Sequence, residues 1–154
     1  METDHKNAIK MLEFWPYKAV YLADQISKFT LSLARETANL NLTQWRVLAA
    51  IAEKPSITAA HVTRITPMDK TLVSRAVQSL ISSKLIRKLP DEDDKRRICL
   101  HTTRKGYDVY SGIAIKLTEA LTPNTEHDEK AQELLGLLDE FIMRLDNVIP
   151  HDGK

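Results

Sequence analysis

The hydrophobic period of this 154-residue chain changes from 3.6 to two near Ile86 and returns to 3.6 at Thr103. A helical stripe cannot serve as a half-buried strand, so this order predicts a mainly α protein with one small β-hairpin, an α+β arrangement in which helices dominate. Before the switch, Leu22, Ile26, Phe29 and Leu33 form the stripe of a first helix over about 16–35, with Pro16 in its first turn, where a missing N–H costs nothing. Thr43 is expected to cap a second helix carrying Trp45, Leu48, Ala49 and Ile51 inward and stopping near Lys54, ahead of Pro55. Thr58 caps a short third helix with Ala59, Val62 and Ile65 inward, and Pro67 ends that pattern. Asp69 caps a fourth helix of about 15 residues, whose apolar side is Leu72, Val73, Ala76, Val77, Leu80 and Ile81.

The period-two stretch predicts strands over 86–89 and 97–102, with Ile98 and Leu100 buried while Arg97, Cys99 and His101 face water. Between them, residues 90–95 form a polar loop. Thr103 caps a fifth helix with Tyr110, Ile113, Ala114, Leu117 and Leu121 on one face, followed by Pro123. A sixth helix from about Glu126 aligns Leu134, Leu138, Phe141, Leu145 and Val148, with Ala131, Leu135 and Ile142 beside them, and Glu126, Asp128 and Glu129 suit its N-terminal dipole.

The fourth helix carries the most informative surface. Lys70, Thr71, Ser74, Arg75, Gln78 and Ser82 make a continuous polar stripe without an acid. These side chains can hydrogen-bond base edges or neutralise phosphates, whereas an ordinary solvated face mixes both signs. Charge distribution agrees. Residues 58–105 hold eleven Lys and Arg against five acids, while the whole chain is nearly balanced at a formal +1. A basic middle between acidic ends points to a phosphate-bearing partner for the middle alone. The hairpin would reach over the nucleic-acid backbone beside the helix, with Arg96 and Arg97 near its tip and the Asp94 carboxylate orienting the Arg96 guanidinium for a narrow minor groove. A calcium loop at Asp91, Asp93 and Lys95 is disfavoured by the lysine and by the missing Gly and terminal Glu.

These residues resemble the ordered signatures of the MarR family of bacterial winged helix-turn-helix regulators. The resemblance runs from about Pro16 to Val148 through Leu42-Thr43-Gln44-Trp45-Arg46-Val47-Leu48, Met68-Asp69-Lys70-Thr71-Leu72-Val73-Ser74-Arg75, Asp94-Lys95-Arg96 and Thr103-Arg104-Lys105-Gly106. It implies a homodimer built by a helical dimerisation region at 1–40 and 104–154, and a winged helix-turn-helix DNA-binding lobe at 41–103. It further implies a pseudo-palindromic double-stranded DNA operator, contacted by Lys70, Thr71, Ser74, Arg75 and Gln78 and, in the minor groove, by Arg96. A small aromatic or phenolic effector would release a repressor of this kind. Thr66-Pro67 stands where the family often has Gly, and Thr102 where it often has Leu, which leaves the interhelix angle and the wing's anchoring open.

Phe14, Trp15, Tyr17, Tyr21 and Phe29 are five of the nine aromatics. Trp15 and Tyr21 are read either as an effector pocket or as interface core. Cys99, the single cysteine, cannot form an internal disulfide, which suits a reducing, cytoplasmic setting. Flanked outside by Arg97 and His101, it would have a stabilised thiolate open to redox chemistry. His5, His61, His101, His127 and His151 form no ligand pair, so neither metal nor cofactor is expected. At 43% apolar and 28% charged the chain has a globular composition. No apolar run approaches the roughly 18 residues of a membrane span, and the first ten residues lack signal-peptide character. No phosphate loop, nucleophile elbow or carboxylate pair suggests an enzyme. The rival class is a dimeric helical adaptor that binds protein rather than DNA, which would have no use for the acid-free stripe.

Overall fold

The computed structural model describes residues 9–121 and 129–148. Pro123, Glu126, Asp128, His5, His127 and His151, singled out above, lie outside the described residues. After a single 3-10 turn at Met11–Glu13, the elements run α1 (Trp15–Ala38), α2 (Leu42–Glu53), α3 (Ala59–Ile65), α4 (Lys70–Ser82), β1 (Ile86–Pro90), β2 (Ile98–Thr102), α5 (Arg104–Leu121) and α6 (Glu129–Asp146). By internal packing, the described residues 9–117 form one compact unit, and residues 118–121 and 129–148 belong to a second.

Local chemistry explains where the elements begin and end. Helix α1 stops because Asn39 adopts a left-handed conformation, φ 53° and ψ 39°, so its N–H donates to Arg35 while the Leu40 N–H donates to Ala34. Asn41 caps α2. Its Oδ1 accepts from the Gln44 N–H at 2.9 Å, and Gln44 Oε1 accepts in return from the Asn41 N–H at 2.7 Å. The expected cap at Thr43 is therefore two residues late, because only Asn41 has a carboxamide partner three residues on. Thr58 caps α3 and Asp69 caps α4 as expected.

The core of the first unit centres on Val47, Leu48 and Ile51 of α2, Val62 of α3, and Val73, Ala76, Val77 and Leu80 of α4. Ala34 of α1 and Ile113 of α5 complete it. Three apolar positions of α3 and α4 expected inside are not. Ala59 and Ile65 are exposed because so short a helix can seat only its middle, Val62, on the core, and Leu72 sits in the first turn of α4 ahead of the packed stretch.

Strands β1 and β2 pair antiparallel, with Ile86 opposite Thr102 and Pro90 opposite Ile98. Ile57 adds a bridge to Leu100, whose N–H donates to the Ile57 carbonyl at 2.8 Å, so the α2–α3 connection lies along the outer side of β2. The hairpin is anchored through Thr103. Its Oγ1 donates to the Lys84 carbonyl at 2.7 Å and accepts from the Gly106 N–H at 3.0 Å, which also starts α5.

Strand burial departs from the simple alternation. Cys99 and Leu100 are both buried and Ile98 is about half exposed. The loop of residues 91–97 folds back so that Asp91 covers the sulfur, which takes Cys99 off the wet face. Helix α6, described by itself, keeps Leu134, Leu138, Ile142 and Leu145 around half exposed.

Candidate nucleic-acid interface

Helix α4 is held by both ends and by its middle. Asp69 Oδ1 accepts from the Leu72 N–H at 2.8 Å, closing the first turn. The connection from α3 tightens at Pro67, across which the Met68 N–H donates to the Thr66 carbonyl at 2.8 Å. Pro67 thus supplies the turn without a glycine. Gln44 of α2 donates from Nε2 to Ser79 Oγ at 2.6 Å, tying the two helices on the side away from the core.

With Val73, Ala76, Val77 and Leu80 packed inward, the opposite face of α4 is fixed by helical period. Lys70, Thr71, Ser74, Arg75, Gln78 and Ser82 are all exposed, and among the described residues no ion pair engages Lys70 or Arg75. A stripe of unneutralised donors is what a phosphate backbone and base edges require. A cavity of about 380 Å³ opens along it, between Lys70, Ser74 and Gln78 of α4 and Ala60 and Thr63 of α3, with Lys88 reaching in from β1. Lys88 was not among the expected site residues. Its signal was the strand alternation of Arg87 and Lys88, which does not say which residue turns toward α4.

The hairpin loop presents Lys95, Arg96 and Arg97 exposed. Asp94 meets Arg96 through the backbone: its Oδ1 accepts from the Arg96 N–H at 3.0 Å. No ion pair between the Asp94 carboxylate and the Arg96 guanidinium forms among the described residues; the carboxylate instead holds the backbone of the turn two residues on. Asp91 organises the same loop. Its Oδ1 accepts from the N–H groups of Asp93 and Asp94, and its Oδ2 from the Cys99 thiol. The thiol bond chiefly, with the two amides, holds the Asp91 carboxyl below the usual range. Burial, then the Asp91 carboxylate, pushes the Cys99 thiol up, against a smaller pull from Arg97. That reverses the expected stabilised thiolate.

The two aromatics considered for an effector pocket are exposed, Trp15 by 48% and Tyr21 by 59%. Tyr21 lines an open hollow with Leu12, Tyr17 and Lys18, and Trp15 is not part of its wall. Trp45 stacks on Tyr110 at 5.8 Å between ring centres, joining α2 to α5 within the first unit.

Two capped helices crossing a tight turn, followed by a two-stranded hairpin with a basic tip, define a winged helix-turn-helix lobe. Residues 38–97 match the model of the MarR family, the family whose motifs the sequence resembles. The family is one of transcriptional regulators and not of enzymes. The chain is 36% identical over 77 residues to an uncharacterized HTH-type transcriptional regulator of Bacillus subtilis (strain 168), YybA, a match covering 49% of this chain and 51% of that protein. The match thus spans about half the length of that relative. The fold is shared with a MarR/EmrR family transcriptional regulator from Acinetobacter sp. ADP1, at TM-score 0.76 and 21% identity over 90% of this chain and 99% of that one. It is shared too with Staphylococcus aureus MarR in complex with salicylate and kanamycin, at TM-score 0.70 and 22% identity over 90% and 95% of the two chains.

Proposed function

We propose that the protein is a homodimeric, sequence-specific DNA-binding regulator of transcription, acting in the cytoplasm as a repressor whose hold on a pseudo-palindromic operator is lowered by a small aromatic or phenolic ligand. The observation that carries this reading is the acid-free, unpaired stripe Lys70, Thr71, Ser74, Arg75 and Gln78 on a helix whose other face is locked into the core. Arg75 and Gln78 read base edges in the major groove, Lys70 and Thr71 hold phosphates, and Arg96 and Arg97 follow the neighbouring minor groove.

In a two-fold dimer the two α4 helices must stand about 34 Å apart, one turn of duplex, to enter successive major grooves together. Dimerisation through residues 1–40 and 104–154 is supported by the apolar side chains that α1, α5 and α6 leave exposed. A ligand that favours a dimer with a different separation weakens operator binding without touching DNA. The complex of the Staphylococcus aureus relative with salicylate supports a small aromatic acid as the ligand class. Among the described residues no helix is long and apolar enough to cross a membrane.

Gel retardation of the DNA upstream of the protein's own gene tests the reading. Arg75→Ala and Arg96→Ala should each weaken the shift at least tenfold. A dimer neutralising on the order of eight phosphates should show log affinity falling against log salt with a slope of roughly −7. Unchanged retardation in both variants, or a slope near zero, overturns DNA reading in favour of a protein-binding adaptor.

A further inference from the structure

His61 on α3 stands between two cations. The Arg64 guanidinium Nη2 lies 2.9 Å from its Nδ1, and the Lys54 ammonium, at the end of α2, lies 3.5 Å from its Nε2. Lysine and arginine only donate, and a neutral imidazole has a single accepting nitrogen. One of the two contacts therefore sets donor against donor. The charges acting on His61 are Lys54, Arg64 and, from the hairpin, Arg97, all positive; with burial as the larger cause, they hold its pKa below the ordinary histidine value. The carboxylate of Glu53, one residue before Lys54, is not among the groups acting on His61; behind burial, it helps push the Tyr110 hydroxyl up. The bridge between Ile57 and Leu100 is what draws the α2–α3 corner against the hairpin and gathers cations from three elements.

Such a cluster of donors suits an anion that can accept from all its members. Its position says which anion. Ala60 and Thr63, each one residue before a member of the cluster on α3, line the same cavity as Lys70, Ser74 and Gln78 of α4. We propose that Lys54, His61 and Arg64 form a clamp for one backbone phosphodiester of the duplex, beside the groove that α4 enters. This deepens the DNA-binding reading and rests on it. A phosphodiester oxygen accepts from Lys54 and Arg64 at once and removes the conflict around the imidazole. It also reverses the sign of the field there, so His61 takes up a proton as the complex forms. Affinity for DNA then rises on acidification through the range in which the free histidine is still neutral.

The test uses the full chain and a duplex of about three helical turns carrying the protein's own upstream sequence. Wild-type affinity should rise several-fold per pH unit between about pH 7.5 and 5.5, and His61→Gln, which keeps a hydrogen-bonding side chain but cannot titrate, should lose most of that gain. At pH 7.5, Lys54→Ala and Arg64→Ala should each make the slope of log affinity against log salt shallower by about one per lobe. In NMR spectra the His61 ring pKa should move up on adding duplex, and not on adding inorganic phosphate at the same phosphate concentration. A pH gain that survives in His61→Gln, salt slopes unchanged in Lys54→Ala and Arg64→Ala, or a ring that responds to inorganic phosphate alone overturns the clamp, even where Arg75→Ala still abolishes binding. Salt-independent binding that also ignores Arg75→Ala would instead remove the DNA reading itself, and the clamp with it.

Discussion

The Cys99 thiol donates a 3.2 Å hydrogen bond to Oδ2 of Asp91, joining the first residue after β1 to the second residue of β2. The sulfur is fully buried, and burial together with the facing carboxylate keeps it a thiol at neutral pH. Since the thiolate is the reacting species, native protein at pH 7 to 8 should react with an aromatic disulfide reagent at least tenfold more slowly than protein unfolded in guanidinium. Asp91→Ala, which uncovers the sulfur, should close most of that gap. Equal rates in native and unfolded wild type would mean that the hairpin opens far more often than its hydrogen bonds suggest.

The same bond gives the hairpin an acid limit. The Asp91 carboxyl is held below its unfolded value of about 3.9, so the stability it contributes is fully present above that value and is lost as pH falls through the lower folded value. Hydrogen exchange at the Asp93 and Asp94 amides, both donors to Asp91, should accordingly report constant protection from about pH 5 to 8, after correction for intrinsic rates, and loss of it below about pH 4. In Asp91→Ala those two amides should exchange fast at every pH while core amides such as Val73 and Leu80 keep their protection.

Gly106 is where helix α5 meets the chain that leads into the hairpin. A Cβ at this position would run into the Leu85 carbonyl oxygen, a backbone atom that cannot swing away. Alanine is ordinarily the better helix former by about 1 kcal/mol, yet Gly106→Ala should destabilise by about 2 to 4 kcal/mol and lower Tm by roughly 10 °C in calorimetry. At Gly112, on the same helix, an added Cβ meets nothing within 4 Å, and Gly112→Ala should be neutral or stabilising. Similar losses in both variants would show that helix propensity, not the close approach, governs α5.

Asn41 and Thr43 separate a reciprocal cap from a residue that only looks like one. Asn41→Ala removes the acceptor for the Gln44 N–H and should cost about 1 kcal/mol, whereas Thr43→Ala should cost a few tenths at most in urea unfolding. Gln44 also donates to Ser79 on α4, so Gln44→Ala should exceed a simple capping loss.

Much of the molecule was legible because its signals are local. The caps at Thr58, Asp69 and Thr103, the Pro67 break and the acid-free stripe of α4 each depend on a few neighbouring residues, and each stands where the sequence put it. What misled was long-range or competitive. Thr43 competes with Asn41 for the same helix start, and the winner is decided by Gln44 three residues on. Cys99 was assigned to the wet face by strict alternation, which fails where a loop carboxylate folds onto the strand. Asp94 has two places to spend its oxygens, and the turn amide of Arg96 lies nearer than the guanidinium. The gathering of Lys54, His61 and Arg64 depends on the bridge between Ile57 and Leu100, a contact between segments some forty residues apart that no local pattern announces.

The exposed rows on the flanking helices bear on affinity as well as assembly. Leu134, Leu138, Ile142 and Leu145 on α6 are 44% to 56% exposed, and Val20, Tyr21 and Leu22 on α1 55% to 70%, rows of large apolar side chains of the kind that mark an interaction surface. If a second copy covers these rows, a charge in the middle of one should be far more damaging to assembly than to the fold of residues 9–117. Leu138→Glu should then elute at half the wild-type mass by light scattering, with a near-unchanged helical circular dichroism signal. Its DNA affinity should fall by about 10² to 10⁴, because each lobe must then find its half-site alone. A wild-type chain that is already monomeric at micromolar concentration, or a Leu138→Glu chain that stays dimeric and binds DNA normally, would assign the apolar row of α6 to some other partner.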